Sequence, residues 1–385
     1  MTIQLHSVTI TRAEVFVFRA PILKPVRTSF GIMYNRPAVL LRLEDSDGAF
    51  GWGEAWCNFP SCGAEHRANL LESVIVPMLL GKSLVSPQQT FEELSDKTAV
   101  LALQADEPGP LAQSIAAADI ALWDLFARKA GKPLHQFLGG TSVAGVPVYA
   151  SGMNPTGLLD TIEDSRNNGF RAFKFKIGFD QEQDLQNVKD ACGGLHSGEI
   201  LAVDANQAWS LLEAKHMADR IGDAPLAWLE EPLRCDTPLS RWQELQEHCR
   251  IPLAAGENIR SRKGFEDVCA SRSMAVIQPD ICKWGGLSLC FQVAKAVLAA
   301  ELRYFPHYLG GGIGLVASAH LLAAAGGDGM LEVDINPNPL REMLALPYPV
   351  VHEGVFPVPQ TAGLGVEPAT KELKPLMTYY KELRS

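Results

Sequence analysis

"AFKFKIG", residues 172–178, alternates apolar and basic side chains. In an extended chain Phe173, Phe175 and Ile177 share one face, and Lys174 and Lys176 share the other. "NNGFRA" (167–172) reads as the turn that leads in. The run is one of a series: "VPVYAS" (146–151), "ILAVDAN" (200–206), "LAWLEEP" (226–232), "PLAAGEN" (252–258), "AVIQPD" (275–280), "RYFPH" (303–307) and "MLEVD" (330–334). Their ends recur roughly every 25 residues with helical stretches between them, the rhythm of repeated β-loop-α units. Eight such units close most readily into a (β/α)8-type barrel. An open doubly wound sheet is the competing architecture, but no G-x-G-x-x-G follows a strand.

In a parallel barrel the C-terminal strand ends converge on one mouth, where catalytic groups sit. Here they carry Ser151, Lys174 and Lys176, Asp204 with Asn206, Glu230 and Glu231, Glu257, Asp280, His307 and Glu332. Asp204, Glu230 and Glu257 come from three consecutive strands. Crowded carboxylates repel unless a cation holds them. Three oxygen donors without His or Cys suit a hard ion, Mg²⁺, with positions left for water and substrate. Three separate ion pairs on the rim are the plain alternative. Lys174 and Lys176 flank this cluster on one side, Asp280 and His307 on the other. A carboxylate beside a histidine orients the ring and supports its protonated form. A base on each flank of a divalent ion suits removal of a proton next to a carboxylate. On this reading Lys174, with the metal, lowers the pKa of Lys176 and makes it a neutral base near pH 7.

The rest of the chain frames that site. It has 385 residues, 47% hydrophobic and 20% charged, which suits a soluble protein of two domains. A net charge of −10 argues against a nucleic-acid or anionic-membrane partner. The eight cysteines form no C-x-x-C pair and the N-terminus lacks a signal-peptide core, so a cytoplasmic protein with reduced thiols is expected. The longest apolar stretch, "IGLVASAHLLAAAGG", is Gly-flanked and carries His320, so a buried helix is expected, not a membrane span. Residues 1–60 read as strands, with a hairpin turn at "EDSDG"; residues 65–130 read as helices, one of them ending at Gly131 and Pro133.

Taken together, "KFKIG", "VDAN", "WLEEP", "GEN", "QPD" and "PHYLGGGIG" resemble, in order and spacing, the enolase superfamily and within it the mandelate racemase subgroup. The resemblance implies a modified TIM barrel, (β/α)7β, at residues 140–335. It also implies an α+β capping domain at residues 1–130, with residues 340–385 returning to the cap. By resemblance, Asp204, Glu230 and Glu257 hold one Mg²⁺. Lys176 is the base on one face of the α-carbon, and His307, paired with Asp280, is the acid/base on the other. Glu332 is a carboxylic acid that hydrogen-bonds the enediolate. Ser151 and Lys174 contact the substrate carboxylate, Asn206 supports the site beside them, and Glu231 is structural. The muconate cycloisomerase and dipeptide epimerase relatives carry lysine where this chain has Asp280, and Lys283 does not fill that place.

The implied activity is dehydration of a hydroxy acid or acid sugar to a 2-keto acid. Racemisation of a 2-hydroxy acid by the same residues is the alternative, and a barrel that binds a carboxylate without turning it over is a third reading. The partner is a small-molecule carboxylate, and a homo-oligomer is expected. Specificity is expected from two cap loops, "PILKPVRTSFGIMYNRPA" and "GWGEAWCNFPSCG". Lys24 and Arg27 are candidates for a distal carboxylate. Phe30, Tyr34, Trp52, Trp56 and Phe59 are candidates for an apolar pocket.

Overall fold

The computed structural model describes residues 7–28, 31–141 and 143–385, and of Arg27 and Thr28 only the backbone. An antiparallel sheet is built from β1 (Val8–Thr28), β2 (Gly31–Asp45), β3 (Phe50–Ala55) and the short β4 (Ser83–Leu84). The turn at 45–49 forms as expected: the Asp45 side chain accepts from the Asp47 and Ala49 N–H groups, both at 2.9 Å. The first of the expected cap loops is different. β1 and β2 stay paired out to Thr28↔Gly31, so that stretch is a two-stranded ribbon. Its register breaks between Pro21 and Val26, where Pro21 and Pro25 lack the N–H a regular ladder needs.

The parallel strands follow: β5 (Gly145–Met153), β6 (Ala172–Lys176), β7 (Ile200–Asp204), β8 (Leu226–Glu230), β9 (Leu253–Ala255), β10 (Val276–Ile277), β11 (Arg303–Tyr304) and β12 (Leu331–Asp334). Hydrogen bonding runs β11-β10-β9-β8-β7-β6-β5-β12, so the last strand returns to the first. Closure is visible in the filling. Tyr149, Ala172, Ala202, Trp228, Ala254, Val276, Phe305 and Met330, one from each strand or its adjoining residue, form one buried cluster. Trp228 meets Tyr149 and Phe305 edge-on, with centroids 5.3 and 5.1 Å apart.

That layer answers why two lysines alternate in β6. Side chains two apart share a face, so each step of two from the plug climbs one layer towards the mouth. Ala172 lies in the plug, Lys174 in the next layer and Lys176 above it. The same step leads from Ala202 to Asp204, Trp228 to Glu230, Phe305 to His307 and Met330 to Glu332.

The helix Gly312–Ala325 is buried along almost its whole length, and no helix among the described residues is long and apolar enough to cross a membrane. β13 (Val355–Pro357) pairs with β5, and β14 (Met377–Arg384) runs antiparallel to β1. The antiparallel sheet backs onto the helix Pro108–Lys129 at "GWG". A methyl on Gly53 would lie 1.8 Å from the Ala117 carbonyl oxygen, and one on Gly51 2.1 Å from that of Ala121. Gly53→Ala is therefore expected to cost about 2–3 kcal/mol or more of unfolding free energy, read from a urea midpoint, because backbone cannot give way as a side chain does.

The cap is seated on the barrel mouth by buried polar contacts. Glu54 accepts from the N–H groups of Gly311, in the loop that follows His307, and Gly314, in the first turn of the helix Gly312–Ala325, at 2.5 and 2.9 Å. Asn58 donates to the Leu309 carbonyl at 2.7 Å, and Arg36 pairs with Asp334.

Candidate active site

The ionisable strand ends gather under the cap around a cavity of about 350 Å³. Ser151, Lys176, Asp204, Asn206, Glu257, His307, Glu332 and Trp56 line it. Lys174, Glu230 and Asp280 are not among the lining residues; each is 2% exposed and contacts those that are.

Three carboxylates are met by three amines. Lys174 Nζ lies 2.6 Å from Glu230 Oε1, Lys176 Nζ 3.1 Å from Asp204 Oδ2 and Lys283 Nζ 2.7 Å from Glu257 Oε2. Glu230 Oε2 also accepts from the Trp228 indole at 3.0 Å and the Gln278 amide at 2.6 Å. Among the described residues no three acidic, His or Cys side chains form a gathered metal cage. An amine stands against each of Asp204, Glu230 and Glu257. The donor chemistry still fits a hard divalent ion. Asp204 and Glu230 are direct register partners on adjacent strands, and Glu257 follows the end of the next one. Burial raises the Glu230 pKa, Lys174 opposes this, and the nearby Asp204 and Glu332 charges add to the rise.

His307 has a carboxylate facing each ring nitrogen. Its Nδ1 is 2.8 Å from Asp280 Oδ2, while Nε2 is 3.4 Å from Glu257 Oε2 and 3.9 Å from Glu332 Oε2. Burial alone would depress the imidazolium, but the charges of Glu257, Glu332 and Asp280 outweigh it and lift the pKa to about 10.

At Lys176 the neighbouring carboxylate sets the direction. Burial and the Lys174 charge pull its pKa down, but Asp204 outweighs them and the net shift is upward. Glu332 is met by three donors. Ser151 Oγ donates to it at 2.5 Å, Lys174 Nζ is 2.8 Å away and the Tyr308 N–H donates at 3.0 Å. Burial would raise its pKa, but Lys174 and His307 hold it down. Lys24 is exposed and does not line the cavity, and Val26 represents the ribbon there. Trp52 is core: it packs on Phe16 at 5.6 Å, and its indole donates to Glu367 at 3.3 Å. Tyr34 is exposed, whereas Phe59 lines the cavity. The Arg27 side chain and Phe30 lie outside the described residues.

Lys283 was passed over by sequence reasoning. It leaves the Asp280 position to Asp280, yet its amine enters the cavity, donating to Glu257 at 2.7 Å and Asn258 at 2.9 Å. It also lies 4.9 Å from the Trp56 ring centroid. The available signal was the three-residue spacing from Asp280, which one turn brings back to the same rim: the Lys283 N–H donates to the Asp280 carbonyl at 3.1 Å. Glu231 pairs with Asn258 at 2.8 Å, and burial lifts its pKa to about 8.

The chain is thus a capped parallel barrel with acidic ends on three neighbouring strands and a lysine and a histidine beyond them. Residues 12–139 match the family model of the mandelate racemase / muconate lactonizing enzyme N-terminal domain, and residues 157–372 the enolase C-terminal domain-like model. The chain belongs to the mandelate racemase / muconate lactonizing enzyme family of the enolase superfamily. It is 30% identical over 352 residues to a D-galactarolactone cycloisomerase of Agrobacterium fabrum, covering 86% of this chain and 89% of that one. Further relatives carry dehydratase, epimerase and racemase names. A crystal structure of a mandelate racemase/muconate lactonizing enzyme from Bordetella bronchiseptica RB50 is 51% identical, with a TM-score of 0.90 over 96% of this chain and 99% of that one. A racemase from Streptomyces coelicolor A3(2) with bound magnesium superposes with a TM-score of 0.86 at 25% identity, covering 96% of this chain and 100% of that one.

Proposed function

We propose that this chain is an enzyme that removes the proton α to a carboxylate, and that it dehydrates a hydroxy acid or acid sugar to a 2-keto acid. The observation that carries this reading is the placement of two proton carriers on different sides of the acidic strand ends. Lys176 ends β6 and His307 follows β11, with the carboxylates of β7 to β9 between them in sheet order. Asp204, Glu230 and Glu257 are the residues that would hold Mg²⁺. When bound there, the ion would supply counter-charge for an enediolate and take over the Asp204 charge that raises the Lys176 pKa.

The chain's own residues then divide the work. Lys176, as the free amine, takes the α-proton from one face. His307, held as imidazolium by Asp280, gives its Nε2 proton to the departing β-hydroxyl, which leaves as water. The enol that remains tautomerises to the keto acid. Lys174 and Ser151 hold Glu332 in place and help frame the substrate carboxylate, with Asn206 beside them. Closure by Trp56, Phe59 and the ribbon keeps water out.

A substrate without a β-hydroxyl would be racemised by the same pair, and the racemases among the relatives favour keeping that reading. The test is a panel of mono- and diacid sugars and 2-hydroxy acids incubated with Mg²⁺ in D₂O. A 2-keto acid product supports dehydration, and loss of optical rotation with deuterium uptake supports racemisation. No exchange with any acid would sink both readings in favour of a binding barrel. Chelation by EDTA is expected to lower exchange by about a hundredfold or more, with recovery on adding Mg²⁺. Exchange indifferent to EDTA would remove the metal from the scheme.

A further inference from the structure

We propose that the outer wall of the cavity, formed by Arg260, Gln113 and Gln207, is a subsite for a second carboxylate, so that the substrate is a diacid. The inference rests on the reading above for the reacting end and concerns only the far end.

All three residues line the same cavity as Lys176 and His307. What matters is which atoms they can offer. The Gln113 Oε1 accepts from Arg67 Nε at 2.7 Å. Arginine is donor-only, so this bond sets the amide's orientation and leaves the Gln113 NH₂ as the group to meet a ligand. The Gln207 Oε1 accepts from the Cys235 N–H at 2.8 Å. A backbone N–H is also donor-only, so the Gln207 NH₂ is left over in the same way. Neither NH₂ has a protein partner among the described residues. Each amide is turned donor-outward by its own neighbour.

Arg260 lines the cavity with them. A methyl on Gly109 would sit 3.2 Å from Arg260 Nη1. Gly109 is four residues before Gln113 on the helix Pro108–Lys129, and so on the same helical face. Arg260 also shares the wall with Cys235, beside Gln207. Among the described residues neither Arg260 nor Arg67 has a carboxylate ion-pair partner, although Arg67 is 4% exposed. In a protein of net charge −10, the exposed Arg260 guanidinium beside two amides with unpartnered NH₂ groups makes a local cationic, donor-rich wall, with Arg67 behind Gln113 and off the cavity lining. A carboxylate, with two acceptor oxygens, is the terminal group that such a fork and its flanking amides fit.

Binding of adipate and of hexanoate, matched six-carbon acids without stereocentres, is measured by calorimetry in the presence of Mg²⁺. The wild-type chain is expected to bind adipate at least about tenfold tighter. Arg260→Ala is expected to bring the ratio to within about threefold, and Arg260→Lys to restore part of it, since lysine keeps the charge but not the fork. Gln113→Glu, which turns a carboxylate oxygen towards the ligand, is expected to lower the ratio as well. A wild-type ratio near one, or a ratio unmoved by both Arg260→Ala and Gln113→Glu, overturns the subsite. Inorganic phosphate displacing adipate more strongly than glutarate does, in wild type but not in Arg260→Ala, would reassign the wall to a phosphate ester and overturn the carboxylate. The ratio is read without turnover, so it stands even if no acid exchanges its α-proton. Exchange accompanied by a ratio of one sinks the subsite and leaves the chemistry untouched.

Discussion

Lys176→Ala is expected to lower α-proton exchange by about 10³–10⁴-fold, the range a positioned general base supplies. Lys176 is the one β6 side chain that both lines the cavity and ends its strand. Lys174, two residues earlier, is buried against Glu230 and Glu332, and cannot take its place. The substitution removes a cation from Asp204, which then has less to balance it before metal binds. Mg²⁺ affinity is therefore expected to hold or rise while exchange collapses. Measuring both by titration and by deuterium uptake separates loss of a base from loss of a site. Wild-type exchange in the variant would assign the base elsewhere, and Lys283, the other amine in the cavity, would be the first candidate.

His307→Asn is expected to lower keto-acid formation by about 10³-fold while exchange through Lys176 persists. Asparagine keeps a polar group near Asp280 but cannot deliver a proton to a leaving hydroxyl. Partial reactions thus discriminate the two faces: exchange without product is the signature of an intact base and a missing acid. If exchange and dehydration fall together, both steps run through one residue and the two-sided scheme fails. The same variant carries a pH signature in the metal-free protein. The His307 pKa is raised from 6.5 to about 10, so its contribution to stability is fully present below pH 6.5 and lost as pH rises through 10. The stability difference between wild type and His307→Asn should shrink across that window.

The positions of these groups were legible because a barrel strand has a short, exact period. Once "AFKFKIG" is read as a strand in a repeated series, its C-terminal lysines must point to the mouth, and so must Asp204, Glu230, His307 and Glu332, whereas Glu257 lies beyond the end of β9 and off that period. The hairpin at 45–49 and the buried helix at Gly312–Ala325 were legible for similarly local reasons. Trp52 was left open between pocket and core because a strand of the cap has two faces, and sequence alone does not say which one meets the helix Pro108–Lys129. Gly51 and Gly53 settle it, since only that face admits the helix backbone.

The sequence by itself determined the eight-fold repeat, the chemistry at each strand end and the order of those ends around the rim, because these depend only on local periodicity and chain direction. Tertiary structure alone decided which charges neutralise which. Lys174–Glu230, Lys176–Asp204 and Lys283–Glu257 join residues 26 to 56 positions apart. The Arg67–Gln113 bond that turns an amide towards the cavity spans 46. Pairing energies fall with distance through space, and distance through space is set only when the ring closes and the cap docks on it.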